Sequence, residues 1–227
     1  MQITRKMLVD WNACKSGLDW FDAHFSEDGA EYQEILNKLA EQNEAGYAEW
    51  LLRKAGAEDT VIELDEIIYE NSFFFAGQIK VKNNIQIKFR LVAGLGIKAG
   101  LGIEAGDGIE AGLGIEAGDG IKAGDGIKAG WGIKAGRGIK AGWGIEAGDG
   151  IKAGWGIKAG RGIEAGDGIK AGLGIKAGWG IEAGDGIEAG RGIEAGDGIK
   201  AGWGIEAGDG IKAGDQFGIF AGLRIKI

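Results

Sequence analysis

The 227-residue chain has no proline, one cysteine, one histidine and two threonines, set against 48 glycines. Each scarcity excludes something. Cys14 alone cannot form an intramolecular disulfide, so a disulfide-stapled secreted fold is excluded and a reducing, cytoplasmic setting is expected. With His24 and Cys14 as its only His or Cys residues the chain has no metal-ligand cluster, and neither a metal nor a cofactor is expected. Thr4 and Thr60 cannot supply the flat hydroxyl array of an ice-binding solenoid. No apolar run reaches the ~18 residues of a membrane span. After the opening MQITRK, Asp10 and Lys15 break up any signal-peptide core, so neither export nor a membrane partner is expected.

Charge is unevenly placed. Of 26 basic and 34 acidic residues, 6 and 12 precede Val61, leaving 20 and 22 for the rest. The acidity therefore belongs to the first segment. The remainder is nearly neutral with both signs interspersed, a distribution with no field to attract nucleic acid, and no nucleic-acid partner is expected.

Residues 1–58 carry a helical period and read as a small all-α domain that caps or docks. Met7, Leu8, Trp11 and Cys14 recur at three- and four-residue spacing after the candidate N-cap Thr4, as do Leu18, Phe21 and Phe25 after Ser16. Tyr32, Ile35, Leu36 and Leu39 mark a third helix, and Tyr47, Trp50 and Leu51 a fourth that Gly56 stops. So small a core is expected to lean on whatever follows it.

Residues 59–227 change period. From Ile97 to Ile211 twenty hexads read Ile, Lys or Glu, Ala, Gly, variable, Gly. Counting back by sixes meets Leu91, Ile85, Ile79, Phe73, Ile67 and Val61, so a degenerate repeat starts near Val61. Gln216 and Phe217 insert two residues, after which Ile219 and Ile225 resume the count. Alternation sends Ile and Ala to one face and Lys or Glu to the other, and Gly-x-Gly is expected to turn the chain through positive φ. Such short strands are stable only when stacked, so the fold class is mainly β, a parallel β-solenoid. A three-sided coil of about 18 residues is favoured because three Ile and three Ala fill a small triangular core, with a two-sided coil of about 12 as the alternative.

Hexads such as Gly120-Ile121-Lys122-Ala123 and Gly150-Ile151-Lys152-Ala153 resemble the repeats of bactofilins, which implies a three-sided β-helix that polymerises. Separately, Asn12-Ala13-Cys14 with Gly17, Trp20 and Phe21, then Ala48, Trp50, Leu51 and Leu52, resembles a helical module of uncharacterised bacterial and prophage proteins. That second resemblance implies an origin and no activity.

No catalytic residue is expected. His24 beside Phe25 reads as a helix-face residue, and seven of the nine Asp-bearing hexads carry Glu three residues earlier as solvated charge, not as a calcium or glycosidase site. Trp131, Trp143, Trp155, Trp179 and Trp203 stand at corners between glycines, each sharing its hexad with a Lys that could pair with the ring. With Phe220, Ile225 and Ile227 at the open final edge they are the candidate interaction residues. Function is expected to be a non-enzymatic scaffold for self-assembly or protein binding, as a homo-oligomer, most simply a dimer, through that edge or through a row of Trp131, Trp155, Trp179 and Trp203. The alternative is an inhibitor or immunity protein of a phage or bacterial conflict system whose helical head binds a target protein.

Overall fold

The computed structural model describes residues 1–214 and 218–222. The helical head contains α1 (Arg5–Asp10), α2 (Lys15–His24), α3 (Tyr32–Glu41) and α4 (Ala45–Ala55). Thr4 caps α1 by accepting the Met7 N–H through its hydroxyl, at 3.3 Å. The N-cap of α2 is Cys14, not Ser16, which lies inside the helix, and Cys14 makes no side-chain capping bond. Two features had no sequence period to reveal them, because each strand is two residues long: β1 (Gln2–Ile3) pairs antiparallel with β2 (Ala30–Glu31). The turn into β2 needs Gly29, whose φ is +89° and whose added Cβ would lie 2.0 Å from the Ile3 carbonyl oxygen.

Beyond Val61 the chain winds into a parallel three-sided solenoid of about 18 residues per coil, with nine strands in each sheet among the described residues. We call the three sheets face I (Val61–Leu64 to Ile205–Ala207), face II (Ile67–Tyr69 to Gly210–Lys212) and face III (Phe73–Phe75 to Ile219–Ala221). Ile stacks on Ile and Ala on Ala, as in Ile139↔Ile157↔Ile175 and Ala141↔Ala159↔Ala177. From Ile79 to Ala201 these inward residues are buried and form one continuous core, with those of the end coils only partly covered. Each would be marginal alone; stacked ~4.8 Å apart, every coil covers its neighbours' apolar face and completes their backbone ladders.

Two expectations need correction, and a third is met. The first coil is one residue short, with Ile62 and not Val61 over Ile79, so Val61 is 46% exposed. The closing slip is present as a 20-residue step, Ile199↔Ile219, while Gln216 and Phe217 lie outside the described residues. The hexad glycines do not use positive φ, which among the described glycines occurs only at Gly29, Gly56 and Gly218. Their reason is proximity. A Cβ on the first glycine of Gly-x-Gly would strike the carbonyl of the coil beneath, as at Gly142, 1.7 Å from the Gly124 oxygen, whereas on the second it would come no nearer to backbone than 3.0 Å, as at Gly150, and at Gly144 would make ordinary contact, 3.5 Å from the Gly162 oxygen.

The head docks on the side of the solenoid, not over its first coil as a cap. Phe74, Ala76 and Val92, on and beside the outer surface of face III, belong to the same buried cluster as Tyr32, Leu36 and Leu51. The outward position that later carries Lys or Glu is apolar at Phe74 and Val92, so the helices have a surface to cover. Gln33 donates to the Phe74 carbonyl at 2.8 Å and accepts the Ala76 N–H at 3.0 Å, and the Asn43 side-chain oxygen accepts from the Ser72 N–H and hydroxyl. Burial among these groups raises the Glu110 carboxyl above its ordinary pKa, helped by Glu49.

Arg90 pairs with Glu49 at 2.7 Å across the junction, and its buried Nε has no partner. Glu49→Ala removes the one carboxylate that forms an ion pair with that guanidinium among the described residues. A loss of about 1–3 kcal/mol is expected, read as a lower melting midpoint with earlier protease cleavage in the helices. A loss under about 0.5 kcal/mol would mean that the pair behaves as an ordinary surface contact.

Candidate interaction surfaces of the solenoid

The fifth hexad letter stands at a corner, where residues 18 apart stack through backbone bonds such as Asp167 N–H to the Asp149 carbonyl. This geometry scatters the tryptophans. Trp131 and Trp203 share the corner between faces III and I, with Asp149, Asp167 and Asp185 between them; Trp155 is on the I–II corner with Arg137; Trp143 and Trp179 are on the II–III corner with Arg161 between them. The expected row of Trp131, Trp155, Trp179 and Trp203 does not exist, because a 24-residue step advances one corner on an 18-residue coil. All five rings are exposed, by 52 to 58%.

The cation beside each ring on the I–II and II–III corners is an arginine one coil away, not the lysine of the same hexad. Arg161 lies between two indoles, its guanidinium carbon 4.6 Å from the Trp143 ring centre and 5.1 Å from that of Trp179. Arg137 sits 5.4 Å from Trp155 and 3.4 Å from the Asp119 carboxylate. Such cation–π contacts restrain large exposed side chains, each contact worth about 0.5–1 kcal/mol at this exposure. The other candidates divide: Phe220 is 63% exposed on face III opposite Lys200, and Ile225 and Ile227 lie outside the described residues.

Signs that alternate along the chain do not alternate on the folded surface. Face II carries Lys122, Lys140, Lys158 and Lys176 in unbroken succession. Face I carries Lys134, Lys152 and Lys170. Face III instead carries Glu146, Glu164 and Glu182, and the adjoining corner adds Asp149, Asp167 and Asp185. Each run on a face is closed at both ends by the opposite charge: Glu104 and Glu194 on face II, Glu116 and Glu188 on face I, Lys128 and Lys200 on face III. The capping contacts hold the Glu116 and Glu194 carboxyls below their ordinary pKa through hydrogen bonds from Lys134 and Lys176. Among the described residues, Lys140, Lys152, Lys158 and Glu164 join no ion pair. Beside the lysine column a shallow groove of about 920 Å³ runs along face II.

In the head, His24 and Cys14 are not brought together. The His24 Nδ1 donates to the Trp20 carbonyl at 2.7 Å and Nε2 accepts from the Gln42 amide at 2.8 Å, while the ring stacks on Trp20 at 4.6 Å. Cys14 is exposed, and its thiol pKa is lowered by the Ser16 hydroxyl and the Gly17 N–H. The sequence offered no sign of a cleft of about 540 Å³ between the helices, lined by Trp20, Tyr47, Trp50 and Cys14. No three His, Cys, Asp or Glu side chains converge as a metal site among the described residues, and no described helix is long and apolar enough to cross a membrane.

No curated protein and no solved structure matches the chain. Residues 1–57, which hold all four helices and the cleft between them, match the YdhT N-terminal domain family, in keeping with the helical module read from Asn12 to Leu52.

Proposed function

We propose that the chain is a non-enzymatic scaffold, a stiff three-sided rod whose outer surface binds protein, other copies of itself included, in the cytoplasm. The observation that carries this reading is the set of braced, exposed indoles, above all the Trp143–Arg161–Trp179 stack. Apolar rings held in water without covering any core serve no purpose in the isolated coil, and aromatic and Arg side chains dominate interface energetics. A polymer-forming role of the bactofilin kind is a finer version of the same proposal.

The test compares wild type with a Trp143→Ser/Trp155→Ser/Trp179→Ser variant by sedimentation over a concentration series. The expected result is association by the wild type that weakens about tenfold or more in the variant, with the β-sheet dichroism and melting midpoint unchanged. Equal association in both removes the indoles from the interface. The head cleft favours a second reading, a conflict-system inhibitor whose head holds a target protein; association lost with Trp50→Ala and kept without the three corner rings would support it.

A further inference from the structure

We infer that the lysine run of face II docks onto the glutamate run of face III of a second copy of this chain. This deepens the scaffold reading and rests on it. Like charges stacked on neighbouring strands are destabilising, and two such runs stand side by side with Lys140, Lys158 and Glu164 within them joining no ion pair among the described residues. The isolated chain thus retains repulsion in both places. Lys140, Lys158 and Lys176, the last three of the four lysines on face II, share their coils with Glu146, Glu164 and Glu182, so these two triplets have the same pitch and the same height on the rod. Any two faces of one solenoid share the coil spacing of ~4.8 Å, so each lysine of the triplet in one copy meets a glutamate of the other without a mismatch accumulating.

A polyanion lying on face II would neutralise the lysines and leave the carboxylates of face III as they are. A second copy satisfies both, which is why the geometry favours it. The head restricts the orientation: it covers face III at Phe74 and Val92, so a partner seated on the glutamate run avoids it by lying antiparallel, its last coils toward the head. Because Lys158 and Glu164 are the middle members of these triplets, reversal of the axis about their coil keeps the triplets aligned and leaves Lys122 beyond the end of the glutamates. The contact joins unlike faces and leaves one face of each kind open, so it does not close on two copies and extends by adding more.

Two charge-swapped chains test this: Lys140→Glu/Lys158→Glu/Lys176→Glu and Glu146→Lys/Glu164→Lys/Glu182→Lys. All six positions face solvent, and sheet dichroism checks that each variant folds; Lys→Gln and Glu→Gln triples serve where a swap does not. Sedimentation of the full chain is expected to show wild-type association in about 20 mM salt that is lost in about 0.5 M. Each swap alone should associate about a hundredfold more weakly, and a 1:1 mixture of the two should recover it. A mixture no better than its components overturns the inference, as does a wild type monomeric at low salt. A monomer that instead binds a polyphosphate chain through Lys158 overturns it in favour of a polyanion. Salt-insensitive association that depends on Trp143, Trp155 and Trp179 overturns it while leaving the scaffold reading in place.

Discussion

Gly142→Ala is expected to destabilise the solenoid by about 3–5 kcal/mol, whereas Gly144→Ala, two residues away in the same corner, leaves it unchanged or adds about 0.4–1 kcal/mol. Neither glycine has a positive φ, so backbone preference predicts the same mild effect at both. The coil beneath makes the difference. At Gly142 the new methyl would sit 1.7 Å from the Gly124 oxygen, and the N–H groups of Gly142 and Trp143 are bonded to Ala123 and Asp125 at 3.1 and 3.0 Å, so relief requires opening that ladder. At Gly144 the nearest atom is 3.5 Å away, and alanine simply narrows the unfolded ensemble. Lys82 and Lys88 do stand at positions equivalent to Gly142, but over the first coil, which has no coil beneath it and can give way. Thermal melts of the two variants decide the matter: equal midpoints would mean that coil spacing yields as easily in mid-stack as at its end.

That distinction was absent from the sequence reading, although much of the fold was present in it. A hexad repeated twenty times assigns every Ile and Ala to the interior, and core volume selected the three-sided coil. What a repeat hides is any property that depends on which hexads become neighbours. Opposite charges occur in 9 of 17 pairs three hexads apart, close to an even mixture, so the count carried no signal. Position carries it: seven of the eight like-charged pairs begin between Lys122 and Glu164, and these become the segregated faces. The tryptophans misled for the same reason, since a 24-residue spacing is conspicuous along the chain and meaningless on an 18-residue coil.

The placement of the head was legible at Phe74 and Val92, apolar residues in the outward position of a hexad, where exposure would leave them in water. The cleft between its helices was not, because it depends on how Trp20, Tyr47 and Trp50 from two helices tilt against each other, and no periodicity encodes that. The same holds for Arg161. Its value comes from indoles 18 residues to either side, and a sequence read hexad by hexad pairs each indole with the nearer lysine instead.

Ile157→Asp is expected to remove about 4 kcal/mol or more and to split one unfolding transition into two. Ile157 is 1% exposed, with Ile139 beneath and Ile175 above. Deleting so large a buried group already costs about 2–5 kcal/mol, and the introduced carboxyl must then be buried without a partner. Burial raises its folded pKa above the unfolded value of about 3.9, so the deficit is fully present above the folded pKa and shrinks as pH falls through it. The wild type has no such group at that place. In a globular core neighbouring elements from all directions would share the strain; in a solenoid each coil touches only two others, so a failed coil separates those before it, anchored by the head, from those after it. The later coils should therefore unfold first, with protease cleavage starting near the substitution. Ile205→Asp, where the last coils leave the side chain half-buried, should cost much less and keep a single transition. Denaturant titration followed by sheet dichroism at pH 7 and at about pH 4 measures all three features. Equal losses at Ile157 and Ile205, or a deficit at Ile157 that grows on acidification, would contradict a one-dimensional stack with a dry interior.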